Sequence, residues 1–399
     1  MKTTTDNQTF PVPKPVYLLL DRLCSSGYEA YLVGGCVRDL LLGAIPHDFD
    51  VTTSAPPHRV QQLFHGYALS ASGIRFGTVG VKTDCGMVEI TTFRTEGSYE
   101  DGRHPGQVQF GGGLESDLLR RDFLMNAVCL TKDGVLLDPL GGVRDILEKR
   151  ITACGNPAAR FREDALRVLR GVRFACQLGF TVEHATLAAM REAAAALSNL
   201  PVERLSGELC RLLLSPAPSR LFTEFSWCLS PLFPAFHLND PDRLDLLPAA
   251  LPERLLPLPQ LAQGLQLPRA DRARLAQLKE IWDLLPVPDR QAARLLSCRQ
   301  DTDTVHRVLY CYDLYHNTRQ SSLFTADDAA RTEQTPISGR ALVDMGFQGK
   351  EIGLILSALR RRSLLPDEKP GEAWYMNNPA VFMSADFLSG SLQTSIFGL

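Results

Sequence analysis

The feature that most constrains the fold lies between residues 31 and 51. It runs Tyr31 Leu32 Val33, then the glycine pair Gly34 Gly35, a helix-forming stretch from Val37 to Leu42, Gly43, and a second apolar segment carrying Asp48 and Asp50. The triplet has the composition of a short strand, and the glycine pair makes a turn whose backbone can approach a ligand closely. The helix after it presents its first N–H groups and Arg38 to an anion. Gly43 suits a helix stop, and the chain then resumes as a second strand with Asp48 and Asp50 on one face, ~7 Å apart from the rise per residue. This order commits the first part of the chain to a sheet with helices packed on it.

Two carboxylates on one strand face suit a hard divalent ion that also touches phosphate. Mg²⁺ is commonly held by one or two carboxylates, with water and phosphate oxygens completing its octahedron. Taken singly, Asp-x-Asp also fits a solvated turn and Gly-Gly a plain turn. Their order and spacing point to nucleotide chemistry.

Around this stretch, Val16, Leu19, Leu20 and Leu23 predict a first helix ending at Gly27, and Pro56 Pro57 open another to Phe64. Gly77 to Lys82, the turn Asp84 Cys85 Gly86 and the run Met87 to Arg94 read as a hairpin. Glu89 is an acid inside that apolar run. It is either a solvent position on an edge strand or a third carboxylate beside the aspartates, acting as a base or metal helper. Residues 95–113 are rich in glycine and charge, and a loop of that length inside a domain is usually functional or disordered.

In the block from Asp117 to Ala127, Arg121 can grip phosphate as a bidentate fork, while Asp122 and Asn126 can bond a ribose hydroxyl. The alternative there is a helix start with a structural Arg and Asp pair. Leu137 to Asp145 reads as strand end, turn and helix, with a structural role.

Residues 160–178 predict the best helix of the chain, with Phe161, Ala165, Val168, Leu169, Val172 and Ala175 on one side and Asp164, Arg167, Arg170 and Arg173 on the other. On pattern alone this is a solvated amphipathic helix. A second reading rests on hydrogen bonding: Asp164 accepts and Arg167 donates, an edge that fits the amine-and-acceptor edges of cytosine and adenine and opposes those of uracil and guanine. Arg173 falls opposite Asp164 on an ideal helix. Farther on, Glu203 and Arg204 are expected to brace this helix. Residues 215–322 are leucine-rich and helical, and residues 336–366 carry Gly353 and Arg360 to Arg362, either phosphate contacts or a charged helix end.

Composition bounds the rest. The 399 residues suggest two to four domains, and the net charge of −3 excludes a uniformly basic nucleic-acid binder without excluding local patches. The ten cysteines form no Cys-x-x-Cys pair, the pattern of thiols in a reducing compartment. No apolar run is long enough to span a bilayer, and Met1 to Pro15 reads as a flexible lead, so the expected address is cytoplasmic, with no membrane partner.

These blocks, in this order over residues 16–214, resemble the bacterial class II tRNA nucleotidyltransferases (CCA-adding enzymes) and their poly(A) polymerase relatives, a branch of the DNA polymerase β superfamily. The match includes Gly34 to Asp50, Arg120 Arg121 Asp122 Phe123 with Asn126 Ala127, Leu137 to Asp145, the Glu163 Asp164 x x Arg167 motif and Leu200 to Leu209. The resemblance implies an α+β fold: an N-terminal nucleotidyltransferase head with a mixed β-sheet flanked by helices, then an all-α neck, body and tail. The implied limits are a lead at 1–15, the head at 16–150, a nucleotide-selecting neck at 151–215, a body at 216–335 and a tRNA-binding tail at 336–399.

It also implies template-independent addition of the 3′-terminal CCA of tRNA, with CTP and ATP as substrates. Asp48 and Asp50 would bind Mg²⁺ with Glu89 beside them as a further catalytic acid, and Gly35, Arg38 and Arg121 would hold the triphosphate. Asp122 and Asn126 would contact the nucleotide, Asp164 and Arg167 would read the base, and Arg170 and Arg173 would face the nucleotide or its phosphates. Arg103 and Pro105 match the family's flexible loop, whose presence favours competence for the final adenosine. The alternatives within the class are a poly(A) polymerase and a partial, A-adding enzyme. An Asp-x-Asp glycosyltransferase explains neither the second motif nor the 160–178 helix, and a binding protein without catalysis would need a lost metal site, whereas both acids are present.

Overall fold

The computed structural model describes residues 10–96, 108–234, 236–297, 299–325 and 337–363. The chain divides into two compact units, Met1–Phe236 and His237–Leu399.

The first unit opens with helix α1 (Lys14–Ser25), started by Pro13 and Pro15, whose fixed φ suits a first turn. Val16, Leu19, Leu20 and Leu23 lie on one stripe and are all buried. At roughly 1.5–3 kcal/mol per buried side chain, that stripe is what docks the helix. Strand β1 (Ala30–Val33), helix α2 (Gly35–Leu41), strand β2 (Phe49–Thr53) and helix α3 (Pro57–Leu63) follow in the expected order. The expected hairpin is β4 (Thr78–Thr83) and β5 (Gly86–Thr92), preceded by the short strand β3 (Leu69–Ser70). Strands β6 (Arg94–Glu96) and β7 (Val108–Phe110) pair as a separate ribbon. The loop positions between them, Arg103 and Pro105 included, lie outside the described residues.

Helix α4 (Leu114–Leu119), strands β8 (Cys129–Leu130) and β9 (Leu136–Leu137) and helix α5 (Gly142–Leu147) complete the head. The sheet runs β3-β4-β5-β2-β1-β8-β9. It is mixed, because β2 and β5 run parallel while the other neighbours are antiparallel. Along β2 and β5 the period of two sends Phe49, Val51, Val88 and Ile90 into the core and leaves Asp50 and Glu89 exposed on the other face. Helices α1 and α3 pack on the sheet.

Strand β2 begins at Phe49, so Asp48 sits in the bend before it and not within the strand as expected. The Arg120 Arg121 Asp122 block follows the end of α4 and does not start a helix; a single 3-10 turn, Leu124–Asn126, comes after it. The turn before α5 is held by Asp138, whose two carboxylate oxygens accept from the N–H groups of Gly142 and Val143 at 2.7 and 2.9 Å. Gly142 itself is packed so tightly that a Cβ there would stand 2.0 Å from the Leu124 carbonyl oxygen.

Short strands β10 (Arg150–Ile151) and β11 (Thr181–Val182) pair in parallel around helices α6 (Pro157–Glu163) and α7 (Leu166–Leu178). The single helix expected over 160–178 is therefore two. The break falls at Asp164, whose backbone is extended (φ −148°, ψ 102°) and whose Oδ1 accepts from the Leu166 N–H at 3.1 Å. An aspartate that satisfies a nearby backbone donor in this way competes with the helix instead of continuing it. Helices α8 (His184–Ala193) and α9 (Val202–Leu213) pack on α6 and α7 respectively.

All strands among the described residues belong to the first unit. The second unit is helical: Arg269–Trp282 packs on Thr302–His316 through rings of Trp282, Tyr312 and Tyr315. Helices Gly339–Asp344 and Lys350–Ser363 share a small core of Ile337, Leu342, Ile355 and Leu359. The side chains of Arg360 to Arg362 and all residues after 363 lie outside the described residues.

Candidate active site

The glycine turn places the site. Gly34 adopts φ +85°, a conformation L side chains rarely take, and a Cβ there would lie 3.5 Å from Asp50 Oδ2 and 3.6 Å from Arg121 Nη1. Glycine thus lets the turn sit against an acid and a base at once. Around it opens a cavity of about 680 Å³ whose lining includes Gly34, Gly35, Arg38, Asp48, Asp50, Glu89, Arg121, Asp122, Asn126, Arg170 and Arg173. Ten of the twelve residues singled out from the sequence meet in this one space.

Glu89 is the register partner of Asp50 across the parallel β2 and β5 pair, in an interior strand. The edge-strand reading of Glu89 is thereby excluded. Asp50 keeps an exposed edge toward the cavity, but the surrounding protein strips much of its bulk hydration. That burial, with Glu89 and then Asp48 close by, pushes its pKa up to about 6, against the pull of Arg121. The acidic side carries a surplus of negative charge. Among the described residues no three or more His, Cys, Asp or Glu side chains form a closed metal cage. The oxygen donors here fit a hard cation that draws its remaining ligands from water and phosphate, as Mg²⁺ does.

The basic side is a chain of paired groups. Arg38 donates to Asp39 Oδ1 from Nε at 2.9 Å and Nη2 at 2.7 Å, and from Nη1 to Asn126 Oδ1 at 2.9 Å. Asn126 Nδ2 donates to Asp122 Oδ1 at 3.3 Å, and Asp122 Oδ2 accepts from Arg170 Nε at 2.8 Å. Burial alone would raise the Asp122 pKa, but Arg170, Asn126 and the Phe123 N–H together outweigh it and hold it below the usual range. Glu208 then receives Arg173 Nε at 2.7 Å, with Arg170 and Arg211 at 3.6 and 3.2 Å. Arg121 donates to Asp117 at 3.4 Å, and its Nε is buried without a hydrogen-bond partner among the described residues.

Asp164 and Arg167 stand apart from the cavity lining, each already paired. Arg204 Nη2 donates to Asp164 Oδ2 at 2.8 Å, the bracing contact expected of Arg204. Arg167 Nη1 donates to Glu163 Oε2 at 2.8 Å and to the Arg160 carbonyl at 3.0 Å, while Nη2 reaches the Arg120 carbonyl at 3.0 Å. Because of the break after α6, the two do not form one helical edge. Arg170 and Arg173, by contrast, share the cavity-facing side of α7.

Three residues escaped the sequence reading. Asp117 is completely buried and holds Arg120, Arg121 and Thr52. Glu208 sits on the buried stripe of α9 with Leu205, Leu209 and Leu212, and an acid at such a position was the available signal. Phe174 lines the cavity among the arginines, and nothing in its local pattern distinguishes it from a core residue.

Two family profiles match parts of the chain. The Poly A polymerase head domain matches residues 30–152, and the "Probable RNA and SrmB- binding site of polymerase A" matches residues 179–236. A CCA-adding enzyme of Lactobacillus gasseri is 36% identical over 345 residues, covering 86% of this chain and 84% of that protein. A CCA-adding enzyme of Limosilactobacillus fermentum is 44% identical over 211 residues, covering 53% of this chain and 52% of that protein. The alignments to several such relatives span about half of their length. Among solved structures, the Bacillus stearothermophilus CCA-adding enzyme in complex with CTP superposes with a TM-score of 0.73 at 28% identity, covering 92% of this chain and 97% of that one.

Proposed function

The chain belongs to the CCA-adding enzyme family, and from that premise we propose that it is an ATP(CTP):tRNA nucleotidyltransferase that builds or repairs the 3′-terminal CCA without a nucleic-acid template. The observation that carries this reading is the pairing of Asp50 with Glu89 on adjacent strands, next to Asp48 and facing Arg38 and Arg121 across the same cavity. Acids for a cation and arginines for a polyphosphate are what nucleotidyl transfer requires. The relatives' names and the CTP complex of the Bacillus enzyme support the choice of substrates.

In this reading Asp48 and Asp50 hold Mg²⁺, which when bound would activate the RNA 3′-hydroxyl and neutralise the departing pyrophosphate. The chain's own groups do the rest. The Gly34 and Gly35 turn admits the phosphates without a side chain in the way, and Arg38 and Arg121 bind them. Glu89 adds negative charge beside the attacking hydroxyl. Asp122 and Asn126 tie Arg38 to Arg170 and orient the sugar. Asp164 and Arg167 read the base: binding CTP or ATP exchanges part of their pairing with Arg204 and Glu163 for the amine and ring nitrogen of the base. Arg170 and Arg173 complete the cationic wall.

The head, neck, body and tail limits given above belong to the same proposal, as does a cytoplasmic location; no described helix is long and apolar enough to cross a membrane. Asp48→Ala tests the assignment. It should remove nucleotide addition to a tRNA lacking CCA while leaving the melting temperature within a few degrees of the parent, and an active variant would overturn the metal assignment.

A further inference from the structure

Phe174 is nearly fully buried on α7 and lines the cavity at the point where three arginines converge. The guanidinium carbons of Arg173, Arg38 and Arg170 lie 4.1, 5.3 and 5.6 Å from its ring centroid. Arg173 and Arg170 are its helical neighbours, but Arg38 comes from α2, so the ring collects side chains from two separate helices. Phe123 backs the ring edge-on, with centroids 5.9 Å apart. From this geometry we propose that Phe174 is a positioning residue for the polyphosphate of the incoming nucleotide, an inference that rests on the functional reading above.

Three like charges within reach of one another repel, and something must hold them there. A carboxylate does so, as Glu208 does between Arg170 and Arg173, but each one added offsets part of the field a triphosphate needs. An aliphatic side chain would leave the field intact but attract none of them. An aromatic face attracts guanidinium groups through its quadrupole and carries no net charge. Carboxylates pair with each arginine as well: Asp39 with Arg38, Asp122 with Arg170, and Glu208 with Arg173 and, at 3.6 Å, with Arg170; none of these three acids reaches from Arg38 to the other two. The ring thus ties Arg38 to Arg170 and Arg173 without adding further negative charge to the cavity. The Tyr variant keeps the ring and its quadrupole; the Leu variant keeps a buried apolar side chain and loses both.

The test compares wild type, Phe174→Leu and Phe174→Tyr for binding of inorganic tripolyphosphate and of CTP, for KM and kcat in CMP addition to a tRNA lacking CCA, and for melting temperature. The expected result is about tenfold weaker tripolyphosphate and CTP binding in Phe174→Leu, of the size that two or three lost cation–π contacts produce. KM for CTP should rise with kcat largely kept, and Phe174→Tyr should restore binding. Unchanged tripolyphosphate affinity in Phe174→Leu, whatever its melting temperature, overturns the inference while leaving the functional reading in place, as does weakened binding in Phe174→Tyr equal to that of Leu. A wild-type protein that binds neither probe overturns the functional reading and this inference with it.

Discussion

Thr52 donates a 3.0 Å hydrogen bond to Asp117 Oδ2, joining the strand that carries Asp50 to the helix that leads into Arg121. The same carboxylate receives Arg120 Nε at 2.9 Å and Arg121 Nη2 at 3.4 Å. One fully buried acid therefore sets the spacing between the acidic and basic sides of the cavity. Asp117→Asn keeps the shape and an acceptor for Thr52 but strips the charge that neutralises two largely buried arginines. Breaking a buried pair of this kind costs about 3 kcal/mol, which urea unfolding should read directly. A variant within about 0.5 kcal/mol of wild type, the size of an ordinary surface substitution, would show that Asp117 is replaceable.

The same group predicts how stability responds to acid. Burial opposes ionisation of Asp117, but Arg120 and Arg121, with hydrogen bonds from Arg120 and Thr52, outweigh it and hold its pKa below the unfolded value near 3.8. Asp122 is lowered in the same sense. A depressed folded pKa contributes stability that is fully present above the unfolded value and is lost as pH falls through the folded one. The urea midpoint should fall steeply below about pH 4, and Asp122→Asn should flatten that fall while being less stable at neutral pH. An unchanged slope in the variant would contradict the assignment.

Asp50 carries the opposite sign. Its pKa is raised to about 6 by burial and by Glu89, so ionising it costs folding free energy, and the apo protein gains stability as pH falls through that value. Glu89→Gln removes the like charge. In a carboxyl-resolved NMR titration without divalent ions, Asp50 should titrate lower in Glu89→Gln than in wild type. Equal values would mean that Glu89 does not feel Asp50 despite their register.

Gly142 makes a purely steric prediction. A methyl group 2.0 Å from the Leu124 carbonyl oxygen meets backbone, which cannot swing away as a side chain would. Gly142→Ala should cost about 3 kcal/mol or more by overpacking, read as a lowered melting temperature. A melting temperature unchanged from wild type would show that α5 shifts freely.

Much of this was legible because local signals and the fold agreed. The strand, glycine turn, helix and strand around Gly34, and the hairpin carrying Glu89, follow from period, turn residues and burial, each acting over a few positions. The α6 and α7 break was not legible. Apolar spacing from Phe161 to Ala175 favours one helix, whereas the actual backbone at Asp164 is settled by its bond to the Leu166 N–H and by Arg204, which is 40 residues away in sequence. Asp117, Glu208 and Phe174 were missed for a related reason. Their partners come from other elements, and a carboxylate or ring on a helix looks the same in sequence whether it faces solvent or three arginines.

Arg204→Met follows from that long-range contact. It leaves Asp164 held only by the Leu166 N–H, so the carboxylate should wander while the acidic pair and the triphosphate arginines stay in place. CMP addition should persist, but preference for CTP over UTP should fall by about tenfold, the scale of one charge-assisted hydrogen bond. Selectivity equal to wild type would mean that Asp164 is positioned without Arg204.

The most direct test gives purified protein and Mg²⁺ a tRNA transcript lacking CCA, with CTP alone, ATP alone, UTP alone, and CTP with ATP, and resolves the products by single nucleotides. A CCA-adding enzyme extends this RNA by two nucleotides with CTP, by three with CTP and ATP together, and by none with UTP. A long ladder with ATP alone would make the protein a poly(A) polymerase, and no extension under any condition would contradict the enzymatic reading.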